Sequence, residues 1–181
     1  EIARVMGEKM GGKGKVAILN APPGITIRDQ RTNGFVEGMA AHHPGIEIVA
    51  DQVADWDRKK AQDVLNTILA ANPDLGGVYG VNDSMALGAV DVAKEKGLLG
   101  QMVIFGNDGE KDALASIEAG ELTGTQYTDV YQQGRFAASA ATVLATGLVS
   151  ADAFGQQGRL LMPYLIATKE TVGQIQPNQR W

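Results

Sequence analysis

The chain has 181 residues, 44% of them hydrophobic, which is ample for a packed core and fits one large domain or one domain with part of another. Its 16 Lys and Arg against 21 Asp and Glu give a formal net charge of -5, and the cations are scattered, so no basic stripe exists to bind nucleic acid. With no cysteine, disulfides and thiolate zinc sites are excluded, and no apolar run approaches the ~18–20 residues that span a bilayer. The first residue is a glutamate, so the chain reads as starting inside a longer or processed protein.

Residues 1–10 read as the end of a helix with Ile2, Val5 and Met6 on one side, broken by the glycines of 11–15 before a strand at 16–20. A loop at 21–26 precedes a helix from about Ile27 to Ala41, with Phe35, Met39 and Ala40 expected to face inward. A strand at 46–53 leads to a helix capped by Asp57, whose Ala61, Val64, Leu65, Ile68 and Leu69 follow helical spacing. The next strand ends in Asn82-Asp83, and a helix runs from there to about Lys96. Strand 102–107, helix 110–120 and strand 122–128 continue the alternation. Right-handed crossovers then predict an α/β fold, a doubly wound parallel sheet flanked by helices on both faces. Helix 130–146 carries Phe136, Ala140, Val143 and Leu144 on one face, 147–158 reads as a loop and 159–168 as a last strand. Pro163 confines that strand to an edge or breaks it, and 169–181 reads as a loose tail.

Polar residues recur where apolar strands end: Asn20, Asn82, Asn107-Asp108 and Thr128-Asp129. In an open α/β sheet that edge holds the ligand crevice. Arg31, near the start of a helix, is poorly placed for the helix dipole but suits a forked contact to ligand hydroxyls; the alternative is a surface pair with Asp29. Trp56, between a strand and a helix cap, either packs against the C–H face of a sugar or seals the helix entrance. Asn82 and Asp108 either bind vicinal hydroxyls or cap the helices that follow them.

Catalytic and metal readings find no support. The 11–15 glycines lack the G-x-x-x-x-G-K-[ST] pattern and precede a strand instead of following one. His42 and His43 are adjacent, so they point apart on a helix end and make a metal site unlike them. No nucleophile elbow or serine–histidine–acid set is present, and Asn82-Asp83-Ser84 matches a glycosylation acceptor only at a buried strand end. No enzyme, cofactor or metal is expected.

The segments KVAILN, RTNGF, VADWDR, ANPDLGGVYGVNDSMALGAV, VIFGNDG and AGELTGTQYTDVYQQG, in this order, resemble the periplasmic sugar-binding proteins of ABC transporters with the ribose-binding-protein fold. The resemblance covers residues 1 to about 168 and implies the carboxy-terminal lobe of a two-lobe protein, truncated at the amino-terminal side. Residues 1–128 would form that lobe, 129–158 a helix and loop returning to the other lobe, and 159–181 the final strand and tail. It also implies that Arg31, Trp56, Asn82 and Asp108 bind ligand, with Thr128 a polar contact near a hinge crossing. Asn107 stands where the family commonly has an aromatic or apolar residue, which points away from plain ribose towards a smaller or more linear polyol.

The function so implied is capture of a sugar or polyol between two lobes in the bacterial periplasm and delivery to a membrane permease. The alternative is the effector domain of a LacI-type transcription regulator, which shares the ND-x-MALGA region and the fold. Taken alone, the chain is expected to dimerise or aggregate through helix 130–146 and to bind sugar weakly.

Overall fold

The computed structural model describes residues 1–154 and 162–181. Apolar runs of four or five residues become the inner strands because both faces of each are covered. These are β1 (Lys13–Asn20), β3 (Leu75–Gly80) and β4 (Val103–Asp108), in which Ile18, Leu19, Val78, Tyr79, Ile104 and Phe105 are buried. With β2 (Gly45–Val53), β5 (Gly124–Tyr127) and β6 (Leu165–Thr168) they form one sheet in the order β2-β1-β3-β4-β5-β6. The first five strands are parallel.

Helices α1 (Ile2–Lys9) and α2 (Thr26–His42) pack together, as do α3 (Arg58–Ala71) and α4 (Asp83–Glu95), with α5 (Lys111–Ala119) beside α4. The change of direction between the β1-to-β2 and β2-to-β3 crossovers separates these two groups onto opposite faces. α3 forms as its sequence dictates: Asp57 accepts from the Lys60 amide, and Ala61, Leu65, Ile68 and Leu69 are buried while Val64 is half-buried. α4 is buried on nearly all sides and crosses α3 closely at Gly88, where an added Cβ would overlap the Arg58 carbonyl and lie 2.9 Å from Ala61 Cβ.

Several expectations need correction. Ala40 is exposed; α2 buries Thr32, Phe35 and Met39, positions 0, 3 and 7 of a helical stripe, and Ala40 falls off that stripe. The parallel sheet expected from the 16–128 alternation forms as read, and the last strand joins it antiparallel to β5; that strand begins only at Leu165, after Pro163, and not at residue 159. Residues 159–161 of the expected strand and 155–158 of the expected loop lie outside the described residues, while Ala151–Phe154 form a 3₁₀ turn.

The tail is not loose. Val172 and Ile175 are buried, the Tyr127 hydroxyl donates to the Gln179 carbonyl at 2.8 Å, and the Lys111 amide donates to the Trp181 carbonyl at 2.6 Å. Helix α6 (Val130–Ala145), by contrast, buries no residue; Phe136, Val143 and Leu144 are 41%, 41% and 38% exposed.

Candidate functional site

Five parallel strands end at one edge of the sheet, and the main departures from relaxed backbone lie there. Asp55 (φ 56°), Trp56 (φ 61°) and Asp108 (φ 129°) are the non-glycine residues in the left-handed region among those described. Such conformations persist only where neighbours over-determine them. After β2, the Asn20 carbonyl accepts from the amides of Ala54 (2.7 Å) and Asp55 (3.2 Å), and Asn82 Nδ2 reaches the Trp56 carbonyl at 3.4 Å. After β4, the Asp108 carbonyl accepts from the Thr128 amide at 3.2 Å.

Arg31 is the centre of the arrangement. It sits on α2, and its Nη1 donates to the Val81 carbonyl at 2.7 Å, just past β3, while Nη2 donates to Asp108 Oδ1 at the end of β4. With its amide oxygen turned to the guanidinium, Asn107 accepts from Nη2 at 2.9 Å and from Nε at 3.1 Å. That orientation satisfies both partners, whereas the opposite one would set the amide NH₂ against a cation. The fork therefore ties two strand ends to α2. The surface pair foreseen as an alternative goes to a different residue: Arg28, not Arg31, bonds Asp29, at 2.9 Å.

The position of α2 is itself fixed from below. Asn20, fully buried at the end of β1, donates to Thr32 Oγ1 at 3.0 Å and to Asp51 Oδ1 at 2.7 Å, and its Oδ1 accepts from the Ala21 amide at 2.9 Å. Thr32 is the neighbour of Arg31, so this network sets where the guanidinium starts.

A cavity of about 450 Å³ opens beside the fork. Arg31, Asn107, Asp108 and Thr128 line it, together with Tyr79, Gln126 and Trp181, which the sequence reading did not select. Tyr79 stacks on Phe35 at 4.3 Å between ring centroids, and burial raises its phenol well above the ordinary range. It reads as core in the sequence because it lies inside an apolar strand. Trp181 donates its indole N–H to the Thr128 carbonyl at 3.2 Å, a contact 53 residues distant that no local pattern announces.

Trp56 and Asn82 stand at the same sheet edge but outside the wall of this cavity. Asn82 caps α4, accepting from the Met85 amide at 2.9 Å. Trp56 is half-buried against the core. Asp108 caps nothing: α5 begins after Glu110, which makes no side-chain cap bond. Its carboxylate is free for Arg31 and for the cavity. Glu110, two residues on and half-buried, has its carboxyl raised above the ordinary value by desolvation, with the Asp108 charge second.

A mixed α/β lobe with a forked arginine–carboxylate pair and a polar cavity at the carboxyl edge of its strands has the arrangement in which open α/β sheets hold small molecules. The chain belongs to the periplasmic binding protein domain family, which matches residues 1–148. This is a family of solute-binding proteins and not of enzymes. Among relatives, the D-allose-binding periplasmic protein of Escherichia coli is 37% identical over 119 residues, covering 65% of this chain and 38% of that protein. The xylitol-binding protein of Mycolicibacterium smegmatis is 32% identical over 170 residues, 93% of this chain and 46% of that protein. A periplasmic solute-binding protein of an ABC transporter from Actinobacillus succinogenes, solved with bound D-allose, superposes with a TM-score of 0.88 at 30% identity, over 95% of this chain and 59% of that one. The chain thus spans about half the length, or less, of the curated relatives it matches.

Proposed function

We propose that this chain supplies one wall of a cleft that captures a sugar or polyol for an ABC transporter. The observation that carries the reading is the Arg31–Asp108–Asn107 fork, a preorganised set of charged donors and acceptors beside a cavity of sugar size. Vicinal hydroxyls need neighbouring donors and acceptors fixed in one plane, and a bidentate guanidinium with a carboxylate supplies both. Relatives named for D-allose, xylitol and ribose support the ligand class.

In this reading Asp108 accepts from two ligand hydroxyls, Arg31 donates to an oxygen between them, and Thr128 and Asn107 add polar contacts. Trp56 and Asn82 form the far margin of the same edge, with the indole as the stacking face. Residues 1–128 make the lobe, helix 130–146 returns to a second lobe that completes the cleft, and 159–181 carry the chain back. Lobe closure in the periplasm presents the loaded protein to a membrane permease.

The test is a melting-temperature screen of the full-length protein against pentoses, hexoses and polyols, with D-allose, D-ribose and xylitol included. A ligand bound only by the folded state adds about 2.7 kcal/mol of stability at one hundred times its Kd. A rise with one or a few polyhydroxy compounds supports the reading. No rise with any of them, while an amino acid or an oligopeptide raises the midpoint, overturns it.

A further inference from the structure

Asp83 opens α4, yet its buried carboxylate serves neither as the cap of that helix, which Asn82 provides, nor as a wall of the cavity. It accepts three hydrogen bonds from elsewhere. Oδ2 takes the amides of Gly109 at 2.7 Å and Glu110 at 2.8 Å, and Oδ1 takes the Thr125 hydroxyl at 2.6 Å. One side chain thereby joins the start of α4, the β4–α5 turn and the middle of β5. The approach is close: a Cβ on Gly106 would overlap Asp83 Oδ1, so only glycine in β4 leaves room for the carboxylate.

Gly109 directly follows Asp108, the residue held at φ 129°. A side-chain-bearing residue in that region relaxes unless both flanking peptides are tied. The peptide after Asp108 is tied at both ends, its carbonyl accepting from the Thr128 amide and its N–H, that of Gly109, donating to Asp83, while the peptide before it lies in the β4–β5 ladder, where Asn107 and Asp108 pair with Gln126 and Tyr127. We infer that Asp83 is a positioning residue for the proposed sugar site, clamping the 108–110 turn so that the Asp108 carboxylate stays on Arg31. The effect on sugar binding rests on the reading in the preceding subsection; the clamp itself does not.

Burial pushes the Asp83 carboxyl up to about 7, with the Asp108 charge adding to the rise and the three hydrogen bonds opposing it. The anion accepts all three bonds. The acid keeps both amides on Oδ2 and donates to Thr125. An asparagine reproduces the second arrangement, with its oxygen on the amides and its NH₂ on the threonine hydroxyl. Alanine reproduces neither.

The experiment uses full-length protein labelled with ¹⁵N at glycine, isoleucine and arginine Nε, as wild type, Asp83→Asn, Asp83→Ala and Asp83→Ser. Hydrogen exchange of the Gly109 amide, the Arg31 Nε–H signal and calorimetric titration with D-allose, D-ribose and xylitol are measured on each. Asp83→Asn should retain Gly109 protection and bind within threefold of wild type. Asp83→Ala should exchange Gly109 at least tenfold faster, lose the protected Arg31 Nε–H signal and bind at least tenfold more weakly, while the Ile18 amide in β1 keeps its protection. Asp83→Ser, whose shorter hydroxyl cannot hold both amides, should move the same way and decides the matter if the alanine variant does not fold. A folded alanine or serine variant with unchanged Gly109 exchange, or an asparagine variant as impaired as alanine, overturns the assignment. If wild type binds none of the three compounds, the compound found by the melting screen takes their place; if that screen finds no polyhydroxy ligand the sugar reading fails, and the Gly109 and Arg31 signals alone decide the role of Asp83.

Discussion

Replacing Arg31 by lysine keeps the positive charge and removes the fork. The guanidinium spans from the Val81 carbonyl at 2.7 Å to Asp108, and it also meets the Asn107 oxygen at 2.9 and 3.1 Å. An ammonium is a point donor and reaches one strand end at a time, so at least two of these bonds are lost. Bonds to a charged group contribute roughly 1.5–3 kcal/mol each. Water recovers part of that, because the Arg31 and Asp108 side chains keep 19% and 23% of their exposure. The expected loss in sugar binding is about 2–3 kcal/mol, or about 30- to 150-fold in Kd. Fold stability should fall by less, about 1–2 kcal/mol, since the network through Asn20 and Thr32 still seats α2. Calorimetric titration of the full-length variant with the compound found by the melting screen reads the first, and urea denaturation the second. An Arg31→Lys protein that binds within threefold of wild type would show that the fork is not the recognition element.

Other substitutions probe the fold around the site. Gly88→Ala should destabilise by about 1–3 kcal/mol, because the new methyl meets α3, although alanine in a helix is ordinarily better than glycine by about 1 kcal/mol; a urea midpoint that rises would refute the close α3–α4 crossing. Asp83 gives a pH dependence with a definite sign. Its folded pKa of about 7 lies above the ordinary 3.8, so the native state binds more protons between these values. Its contribution to stability is full below about pH 4 and is lost as pH rises through 7. The urea midpoint of wild type relative to Asp83→Asn should therefore fall from pH 5 to pH 7.5, and a constant difference would contradict the shift. The 181-residue chain alone should self-associate through the exposed face of α6. Light scattering should show a smaller species for Phe136→Lys/Leu144→Lys, and a strictly monomeric wild-type chain would exclude this interface.

The inner strands and α3 were legible because their signals are local: apolar runs for β1, β3 and β4, and an i, i+3, i+4 stripe behind the Asp57 cap for α3. Ala40 was misplaced because alanine tolerates either side of a helix, and the stripe through Thr32, Phe35 and Met39 is short on large apolar residues. The tail misled for a different reason. Val172, Ile175 and Trp181 are separated by polar residues with no period, and what orders them lies far back in the chain, at Lys111, Tyr127 and Thr128. The antiparallel turn of β6 is likewise a matter of its neighbour, not of its own four residues. At the candidate site, Asn107, Asp108 and Thr128 stand out as polar residues at strand ends and Arg31 as a cation near a helix start, and the structure brings these four to one cavity. Asp83 stayed hidden because an acid beside an Asn cap looks like an ordinary first-turn residue. Its three partners lie 26, 27 and 42 residues away.

The central claim, that the strand-end fork grips a polyhydroxy ligand, is tested most directly by a crystal structure of the full-length protein with the compound found by the melting screen. The account predicts ring or chain hydroxyls within hydrogen-bond distance of Asp108 and of an Arg31 nitrogen, about 2.6–3.0 Å away. A ligand that binds in solution yet lies in the crystal away from the edge formed by Arg31, Asn107 and Asp108 would contradict it.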